Sequence, residues 1–220
     1  MSRKKISFLT SPEAPALEAS RKLQKKYGSY ALGKADVIVA LGGDGFMLRS
    51  LHETMQLSLP VYGMNFGTIG FLMNDFSENC LIERLHLAEE TLINPLTMTA
   101  YCVDGTIKSA LAINEVSLIR SSSQAAKLRI SIDGKERMKE LVCDGALVST
   151  PAGSTAYNYS AGGPIVHNDI ESIVVTPISP FSKFPRSIVL NGKSKIKVTI
   201  PKNQNYAIQF DGIVEVQEKS

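Results

Sequence analysis

The stretch Val37-Ile38-Val39-Ala40-Leu41-Gly42-Gly43-Asp44-Gly45 decides the fold of the first part of this chain. Its five leading residues are all apolar, and β-branched residues dominate them. Such a run predicts a strand that is buried on both faces, as the strands of parallel sheets are. Glycines follow immediately, at the point where such a strand turns into a crossover helix. The stretch therefore predicts an α/β fold with a parallel sheet.

The segments around this strand continue the alternation. Strands are predicted at residues 6–9 and 59–64, and helices at residues 12–27, 46–55 and 78–90. For the first helix, Ser11 is the expected N-cap, Pro12 the first helical residue and Gly28 the stop signal. Strands that alternate with helices in this way pair in parallel through crossover connections.

From Asn94-Pro95 onward the pattern becomes that of β-structure. Residues 96–149 contain β-branched runs separated by Asp104-Gly105 and Asp133-Gly134, which are strong hairpin signals. The tail repeats the pattern, with runs at residues 187–190, 196–200 and 206–216 and with Asn191-Gly192 after the first of them. We therefore predict an α/β domain at residues 1–95, which carries the Gly-Gly-Asp-Gly motif, and a β-rich domain at residues 96–220.

The composition is that of an ordinary globular protein, with 220 residues, 44% hydrophobic, 20% charged and a net charge of +3. The mild positive charge suits small anions but is too low for the dense basic patch of a nucleic-acid binder. No apolar run is long enough to cross a membrane, and no targeting segment is recognised. The cysteines, Cys80, Cys102 and Cys143, form no close pair, which favours reduced thiols. A cytoplasmic location is expected.

The glycine-rich turn is the first candidate for chemistry. Gly42, Gly43 and Gly45 allow a tight turn and a close approach of a ligand, and the following helix offers N–H groups and a positive dipole to phosphate. Asp44 would repel phosphate unless a metal ion lies between them or the carboxylate accepts a proton. The tetrapeptide alone is equally consistent with a structural turn in which Asp44 is an N-cap.

Other familiar signatures are missing from the sequence. There is neither a P-loop motif nor a G-x-G-x-x-G motif after a strand. Ser154 does not lie in a G-x-S-x-G elbow. The histidines, His52, His86 and His167, do not have the spacing of metal ligands. These observations argue against P-loop NTPases, ordinary dinucleotide-binding domains, serine hydrolases and zinc enzymes.

Asn114-Glu115 is the second candidate, because two polar residues stand side by side in the apolar run of residues 112–118. In a strand one of the two must point to the core face. A buried amide or carboxylate without a partner costs several kcal/mol, on the order given for unpaired polar groups, and the hydroxyls of a ligand would supply partners. The alternative is a strand-end pair at the rim of a sheet.

The third candidate is the segment from Cys143 to Pro164, in which a strand runs into a turn rich in small and hydroxyl-bearing residues. Small residues would let a planar ring approach closely. Thr155, Asn158 and Ser160 offer hydrogen bonds to the edges of such a ring, and Tyr157 or Tyr159 could stack on it. The alternative is a purely structural loop.

These motifs resemble the NAD kinases in order and in spacing. The resemblance rests on Gly42-Gly43-Asp44-Gly45, on Asn114-Glu115, and on Asp144-Gly145 leading into Thr150-Pro151-Ala152-Gly153-Ser154-Thr155-Ala156-Tyr157-Asn158. Thr176-Pro177-Ile178-Ser179-Pro180-Phe181 adds to it. Gly-Gly-Asp-Gly is shared with diacylglycerol, sphingosine and phosphofructo-kinases, whereas Gly-Ser-Thr-Ala-Tyr-Asn is specific to NAD kinases. A lipid or sugar kinase of the wider group and a non-catalytic NAD(P)-binding module are the alternatives.

The resemblance implies an N-terminal Rossmann-like α/β domain and a C-terminal β-sandwich-like domain, with NAD in the cleft between them. It implies transfer of the γ-phosphate of ATP, or of phosphate from polyphosphate, to the 2′-hydroxyl of the adenosine ribose of NAD. It also implies a divalent metal ion, usually Mg²⁺, and a homodimer or homotetramer. Family members continue beyond the point that matches Asp211-Gly212 with a further strand and a helix, so we expect a shortened C-terminal part.

The resemblance also implies roles for individual residues. Asp44 would be the general base, and Asp144 would bind near the nicotinamide ribose, often across a subunit boundary. Asn114, Glu115, Thr155 and Ala156 would hold the adenosine. The full expected set of NAD contacts is Asp44, Gly45, Arg49, Asn114, Glu115, Asp144, Ala152, Thr155, Ala156, Tyr157, Asn158, Tyr159 and Ser160, and the phosphate loop is Gly42, Gly43 and Gly45. No metal ligands are assigned.

Overall fold

A computed structural model describes residues 4–67, 70–102, 104–181, 186–201 and 206–217. The chain forms two compact units, Met1–Glu90 (unit 1) and Thr91–Ser220 (unit 2), and each unit is described by itself. No helix in the described part of the chain is both long enough and apolar enough to span a membrane.

Unit 1 is built on a parallel sheet with the order β1-β2-β3-β4. The strands that the structure describes there are β1 (Ile6–Thr10), β2 (Val37–Gly42), β3 (Val61–Asn65) and β4 (Asn74–Asp75). The helices are α1 (Ala14–Tyr27), α2 (Asp44–Thr54) and α3 (Leu81–Leu87). All six residues of β2 are buried, which the apolar run predicted. The α/β fold with a parallel sheet is confirmed.

Two details of α1 differ from the prediction. The residue in the N-cap position is Glu13, and Ser11 instead donates its hydroxyl to the Glu13 carboxylate at 2.8 Å. Pro12 therefore precedes the helix. The backbone N–H of Ser11 is bonded to Leu41 in the neighbouring strand, so the chain is still tied to the sheet at this residue. Gly28 ends the helix with a φ of 82°, which confirms the stop signal.

Unit 2 consists of antiparallel β-structure. Its described strands are β5 (Leu96–Tyr101), β6 (Ile107–Ala112), β7 (Glu115–Arg120), β8 (Ala126–Ile132), β9 (Lys135–Cys143), β10 (Gly145–Ser149), β11 (Ser172–Ile178), β12 (Ile188–Asn191), β13 (Ile196–Thr199), β14 (Tyr206–Phe210) and β15 (Ile213–Gln217). A large sheet has the order β12-β11-β10-β7-β14-β15, a second sheet has the order β13-β8-β9, and β5 pairs with β6 as a hairpin.

The two larger sheets of unit 2 share one hydrophobic core. Leu118 of β7 and Val175 of β11 come from the large sheet, while Leu128, Ile130 and Leu141 come from the second sheet, and all five are buried in the same cluster. Side chains from the inner faces of two sheets thus interdigitate, which is the architecture of a sandwich. The prediction of a β-sandwich-like domain is confirmed.

Asp-Gly pairs form the hairpins, as the sequence predicted. Asp104-Gly105 joins β5 to β6, and Asp133-Gly134 joins β8 to β9 with positive φ angles of 51° and 76°. A third pair, Asp211-Gly212 with φ angles of 48° and 77°, divides the run at residues 206–216 into β14 and β15. Asn191-Gly192 does not form a hairpin, because β12 pairs with β11 and β13 pairs with β8 in the other sheet.

Gly145 gives a test of this packing. A Cβ atom at Gly145 would lie 2.2 Å from the backbone oxygen of Leu118 on the neighbouring strand, whereas a Cβ atom at Gly33 would meet nothing within 4 Å. Gly145→Ala should therefore lower the free energy of unfolding by about 2 kcal/mol, as overpacking of a core does. Gly33→Ala is the control and should change it little. Urea unfolding followed by circular dichroism makes the comparison, and equal stabilities would contradict the packing described here.

Candidate functional site

The glycine-rich turn lies where β2 ends at Gly42 and α2 begins at Asp44. In open α/β sheets, ligands bind beyond the carboxyl ends of the strands. None of the three glycines has a positive φ, so the turn itself does not require glycine. A Cβ at Gly42 would collide with Phe46, but a Cβ at Gly43 or Gly45 would meet no described atom within 4 Å. The open space at these two residues borders a helix N-terminus, which suits phosphate.

Asp44 is the first residue of α2 and does not cap it, since the N-cap position is taken by Gly43. Its carboxylate instead accepts backbone hydrogen bonds from another segment, from Phe71 at 2.7 Å and from Leu72 at 3.1 Å. A Cβ at Gly70 would lie 3.0 Å from Oδ1 of Asp44. The carboxylate is thus held in one orientation, while Arg49, further along the same helix, is exposed.

Asn114 and Glu115 lie at the start of β7, and Glu115 is only 7% exposed. Oδ1 of Asn114 and Oε2 of Glu115 are both buried and have no hydrogen-bond partner among the described residues. Native proteins satisfy nearly all buried polar atoms, so each exception requires an explanation. A pair of unsatisfied acceptors on neighbouring residues is the arrangement expected of a site that binds the hydroxyl or amino groups of a ligand.

Glu115 has a strongly shifted acidity. Burial raises the pKa of its carboxyl group to about 7, and the Asp211 carboxylate adds to the shift. A hydrogen bond from the backbone N–H of Tyr157 opposes it. Glu115 therefore changes its charge within the physiological pH range, which is typical of residues at functional sites.

Asp211 is the residue of this site that the sequence did not reveal. Its carboxylate accepts hydrogen bonds from three successive backbone N–H groups: from Ile113 at 2.6 Å, from Asn114 at 2.7 Å and from Glu115 at 3.1 Å. The sequence shows Asp211 only as the first half of an Asp-Gly turn signal. Nothing in the sequence relates it to a segment almost one hundred residues earlier.

The segment from Thr150 onward folds back over Asn114. After β10 the chain forms a 3₁₀ helix (Ala152–Thr155) and a short α-helix, α4 (Tyr157–Ser160). The Thr150 hydroxyl donates to the backbone oxygen of Ile113 at 2.7 Å, and a Cβ at Gly153 would lie 2.2 Å from the backbone oxygen of Asn114. Gly153 is therefore required for the close approach of the loop to the strand.

Asn158 is part of the framework of this loop. Its side chain is fully buried, and its amide group donates to the backbone oxygens of Ser154 and Pro164 at 3.0 and 2.9 Å. Its side-chain oxygen accepts a hydrogen bond from the hydroxyl of Thr176 at 2.7 Å. These hydrogen bonds lie within the protein, so the interpretation that Asn158 bonds to the edge of a ring lacks structural support. The side chain of Tyr159, in contrast, is 61% exposed.

Asp144 has an ion partner from a distant part of the sequence. The Arg120 guanidinium donates from Nε to the Asp144 carboxylate at 2.6 Å, because antiparallel pairing of β7 with β10 brings the two residues together. Burial raises the pKa of Tyr157, with further contributions from the charges of Glu115 and Asp144. Tyr157 thus lies close enough to both carboxylates to be influenced by them.

A cavity of about 400 Å³ also borders the loop. Thr150, Pro151 and Ala152 line it on one side, and residues 92–96, residues 168–173 and Gly192 complete it. Ala152 is the only predicted NAD contact in this lining. Asn114 and Glu115, the predicted adenosine contacts, do not line this cavity.

Unit 2 thus assembles the predicted residues Asn114, Glu115, Asp144 and Tyr157, while Asp44 and the glycines belong to unit 1. The described residues contain no group of three or more His, Cys, Asp or Glu side chains that could hold a metal ion. An oriented carboxylate beside an open helix N-terminus, in a chain that also has buried acceptors for a polar ligand, suits a phosphotransferase that binds nucleotides.

Comparison with known proteins specifies the family. The family model of the ATP-NAD kinase N-terminal domain matches residues 5–87, and that of the ATP-NAD kinase C-terminal domain matches residues 113–220. An NAD kinase of Cereibacter sphaeroides is 57% identical over 181 residues, which are 82% of this chain and 71% of the relative. An NAD kinase of Caulobacter vibrioides is 56% identical over 177 residues, covering 80% of this chain and 68% of the relative.

Two solved structures of kinases have the same fold as this chain. The NAD kinase of Archaeoglobus fulgidus in complex with ATP superimposes with a TM-score of 0.76 at 25% identity, covering 100% of this chain and 87% of that chain. Yeast NADH kinase complexed with NADH shares the fold, with a TM-score of 0.80 at 24% identity over 98% of this chain and 77% of that chain. The chain belongs to the NAD kinase family. Its activity is transfer of the γ-phosphate of ATP to the 2′-hydroxyl of the adenosine ribose of NAD, and the comparisons do not support the lipid-kinase, sugar-kinase or non-catalytic alternatives.

The acidity of Glu115 predicts how stability depends on pH. Since the pKa rises from 4.5 to about 7 on folding, the folded protein binds more protons than the unfolded chain between these pH values. The free energy of unfolding should then fall by roughly 2 to 3 kcal/mol between pH 5 and pH 8 through this group alone. Glu115→Gln should lack that contribution, whereas Glu136→Gln, at an exposed ion pair with Arg129, should keep it. Urea unfolding without NAD at both pH values tests this, and an identical pH dependence in Glu115→Gln and the wild type would contradict it.

Proposed function

We propose that Asp44 is the general base of the transfer reaction. Its carboxylate accepts the proton of the ribose 2′-hydroxyl as the 2′-oxygen attacks the γ-phosphorus of ATP, and the bond to the bridging oxygen breaks to release ADP. The observation that supports this role is the orientation of the carboxylate by the N–H groups of Phe71 and Leu72. A positioned base contributes about 10²–10⁴-fold to the rate.

The rest of the rate enhancement comes from position and charge. In phosphoryl transfer, alignment of donor and acceptor and neutralisation of the phosphate charge contribute most. We propose that the phosphates lie at the N-terminus of α2, beside Gly43 and Gly45, where the absent Cβ atoms leave open space. The ATP complex of the Archaeoglobus relative supports the same donor here.

A divalent metal ion, for which Mg²⁺ is the expected species, would bind here mainly through the substrate. Since the described residues offer no group of three ligands, the ion would be held chiefly by the phosphates of ATP, and no side chain is assigned to it. Mg²⁺ commonly binds through one or two carboxylates together with substrate phosphates and water. When bound, it would neutralise charge on the phosphate oxygens.

We propose that Asn114, Glu115, Thr155 and Ala156 bind the adenosine of NAD. The buried Oδ1 of Asn114 and Oε2 of Glu115 are acceptors for ribose hydroxyls or for the adenine amino group. The 3₁₀ helix brings Thr155 and Ala156 into the loop that is bonded to the same bend of the chain. The other proposed NAD contacts on this loop are Ala152, Tyr157, Tyr159 and Ser160. Asn158 contributes by holding the loop in shape. The proposed contacts in unit 1 are Asp44, Gly45 and Arg49.

We further propose a homodimer or homotetramer in which Asp144 reaches the nicotinamide ribose of NAD bound to a neighbouring subunit. Its ion pair with Arg120 fixes the carboxylate while leaving the side chain about one-third exposed, at 32%. The expected location is the cytoplasm, in keeping with the free thiols of Cys80, Cys102 and Cys143.

Asp44→Asn tests the assignment of the base. The amide keeps the size of the side chain but cannot accept the proton, so kcat should fall by about 10²–10⁴-fold while the fold is retained. Glu53→Gln, at an exposed carboxylate on the same helix, is the control for the loss of a negative charge and should retain most of kcat. NADP formation under saturating NAD and ATP gives kcat, and circular dichroism verifies the fold. Wild-type turnover in Asp44→Asn would remove Asp44 from the mechanism.

Asp144→Asn tests the shared site. The KM for NAD should rise by about tenfold, because a carboxylate is a stronger acceptor than an amide and because Arg120 loses its counter-ion. Glu136→Gln, which breaks the exposed Arg129 ion pair in the same unit, should leave the KM unchanged. The specific activity of the wild type should also fall on dilution as subunits separate. Sedimentation that finds a fully active monomer would exclude the shared site.

A further inference from the structure

The bend before β7 has an unusual anchor. In an extended strand successive N–H groups point to opposite edges, so three successive groups cannot reach one acceptor. Residues 113 and 114 form a bend, and there the N–H groups of Ile113, Asn114 and Glu115 converge on the Asp211 carboxylate. The backbone N–H of Asp211 donates in return to the backbone carbonyl oxygen of Glu115 at 3.1 Å. The turn between β14 and β15 thus holds the bend from both directions.

We propose that Asp211 is a positioning residue for NAD: it holds the bend at residues 113–115 in the conformation that presents the Asn114 and Glu115 side chains to the adenosine. This inference rests on the proposed adenosine role of those two residues. Asp211 itself contacts the backbone of the bend and is not proposed to contact the substrate.

The chemistry of the anchor requires a carboxylate. An ionised carboxylate only accepts hydrogen bonds, and its two oxygens have enough lone pairs for three N–H groups. Oδ1 accepts from Asn114 and Glu115, while Oδ2 accepts from Ile113. An asparagine that kept its oxygen at the first position would place an NH₂ group against the N–H of Ile113. The bend would then lose one hydrogen bond and gain a repulsive contact between two donors.

The anchor also explains how two unsatisfied acceptors persist in a buried place. Oδ1 of Asn114 and Oε2 of Glu115 are buried without partners among the described residues, which is unfavourable for the free protein. A loose bend would relax and turn them toward water or toward donors of the protein. Because Asp211 and the loop at Thr150 and Gly153 hold the same bend from two sides, this relaxation is blocked. Preorganisation of this kind lowers the cost of ordering the site when a ligand binds.

Asp211 has a second, electrostatic consequence for Glu115. The groups that influence Glu115 come from two elements: the Asp211 carboxylate from the β14–β15 turn and the backbone N–H of Tyr157 from the loop. The charge of Asp144, which is paired with Arg120, contributes to the raised pKa of Tyr157. Removing the charge of Asp211 should lower the pKa of Glu115, since that charge contributes to its rise. The charge of a residue that supports the fold at a distance from Glu115 would not move this titration.

The chain provides a matched control. Asp133 also begins an Asp-Gly hairpin turn, also has a positive φ of 51°, and its carboxylate also accepts hydrogen bonds from a distant segment, from the Lys195 N–H at 2.8 Å and the Ser194 hydroxyl at 3.1 Å. It lies in the same unit but bonds to none of residues 113–115 in the described structure. Asp133→Asn therefore reproduces the generic effect of the substitution.

The test compares Asp211→Asn, Asp133→Asn and Glu115→Gln by calorimetric titration with NAD between pH 5.5 and 8.5, together with steady-state kinetics. In the wild type the Kd for NAD should rise as the pH falls below about 7, where Glu115 becomes protonated. Asp211→Asn should raise the Kd and KM for NAD at least about tenfold, change the KM for ATP by less than about twofold, and move the break in the pH profile to lower pH. Asp133→Asn should keep the wild-type Kd for NAD and the wild-type position of the break in the pH profile.

The outcomes separate this inference from the proposed function. One outcome overturns the role of Asp211 alone. In it, Glu115→Gln binds NAD weakly, whereas Asp211→Asn keeps the wild-type Kd and the wild-type pH at which the Kd begins to rise. A wild-type Kd in Glu115→Gln removes the proposed adenosine site and the inference with it. If Asp211→Asn does not fold, amide hydrogen exchange of the wild type tests whether Asp211 anchors the bend. Strong protection of the amides of residues 113–115 supports the anchor, and exchange at the rate of an exposed loop overturns it.

Discussion

The interaction on which unit 2 depends is the convergence of three backbone N–H groups on the Asp211 carboxylate. It connects a turn near the end of the chain to the first residues of a central strand of the large sheet. On the other side of the same bend, the hydroxyl of Thr150 and the close approach of Gly153 hold the loop against Ile113 and Asn114. The side chains of Asn114 and Glu115 therefore have little freedom to escape burial. Their unsatisfied oxygens are a consequence of this constraint.

The constraint explains the chemistry of Glu115 as well. A carboxyl group in water would be ionised at neutral pH, but burial and the neighbouring charge of Asp211 bring its pKa to about 7. The free protein bears this electrostatic cost because surrounding elements hold the group in place. Sites that bind polar ligands commonly retain such unfavourable features, since the ligand supplies the missing partners.

In the mechanism we propose, unit 1 must place a carboxylate near phosphate without repelling it. The N-terminus of α2 supplies a positive dipole, and the open space at Gly43 and Gly45 leaves room beside the backbone. Asp44 is turned toward the N–H groups of Phe71 and Leu72, so its orientation does not depend on a ligand. The parallel sheet makes this possible because the end of β2 and the segment after β3 lie at the same edge.

The sequence by itself determined the α/β and β-rich halves, the buried strand β2, the Asp-Gly hairpins and the family, because these depend on local periodicity, turn chemistry and motif spacing. It also pointed to Asp44, Asn114 and Glu115 as residues that a purely structural role explains poorly. Only the tertiary structure decided that Asp144 pairs with Arg120, that Asn158 bonds internally and that Asp211 anchors the bend before β7. Each of these contacts joins residues that strand pairing or chain reversal brings together from distant places in the chain. No local pattern encodes such a contact, because its energy depends on a neighbour whose position is set by the whole fold.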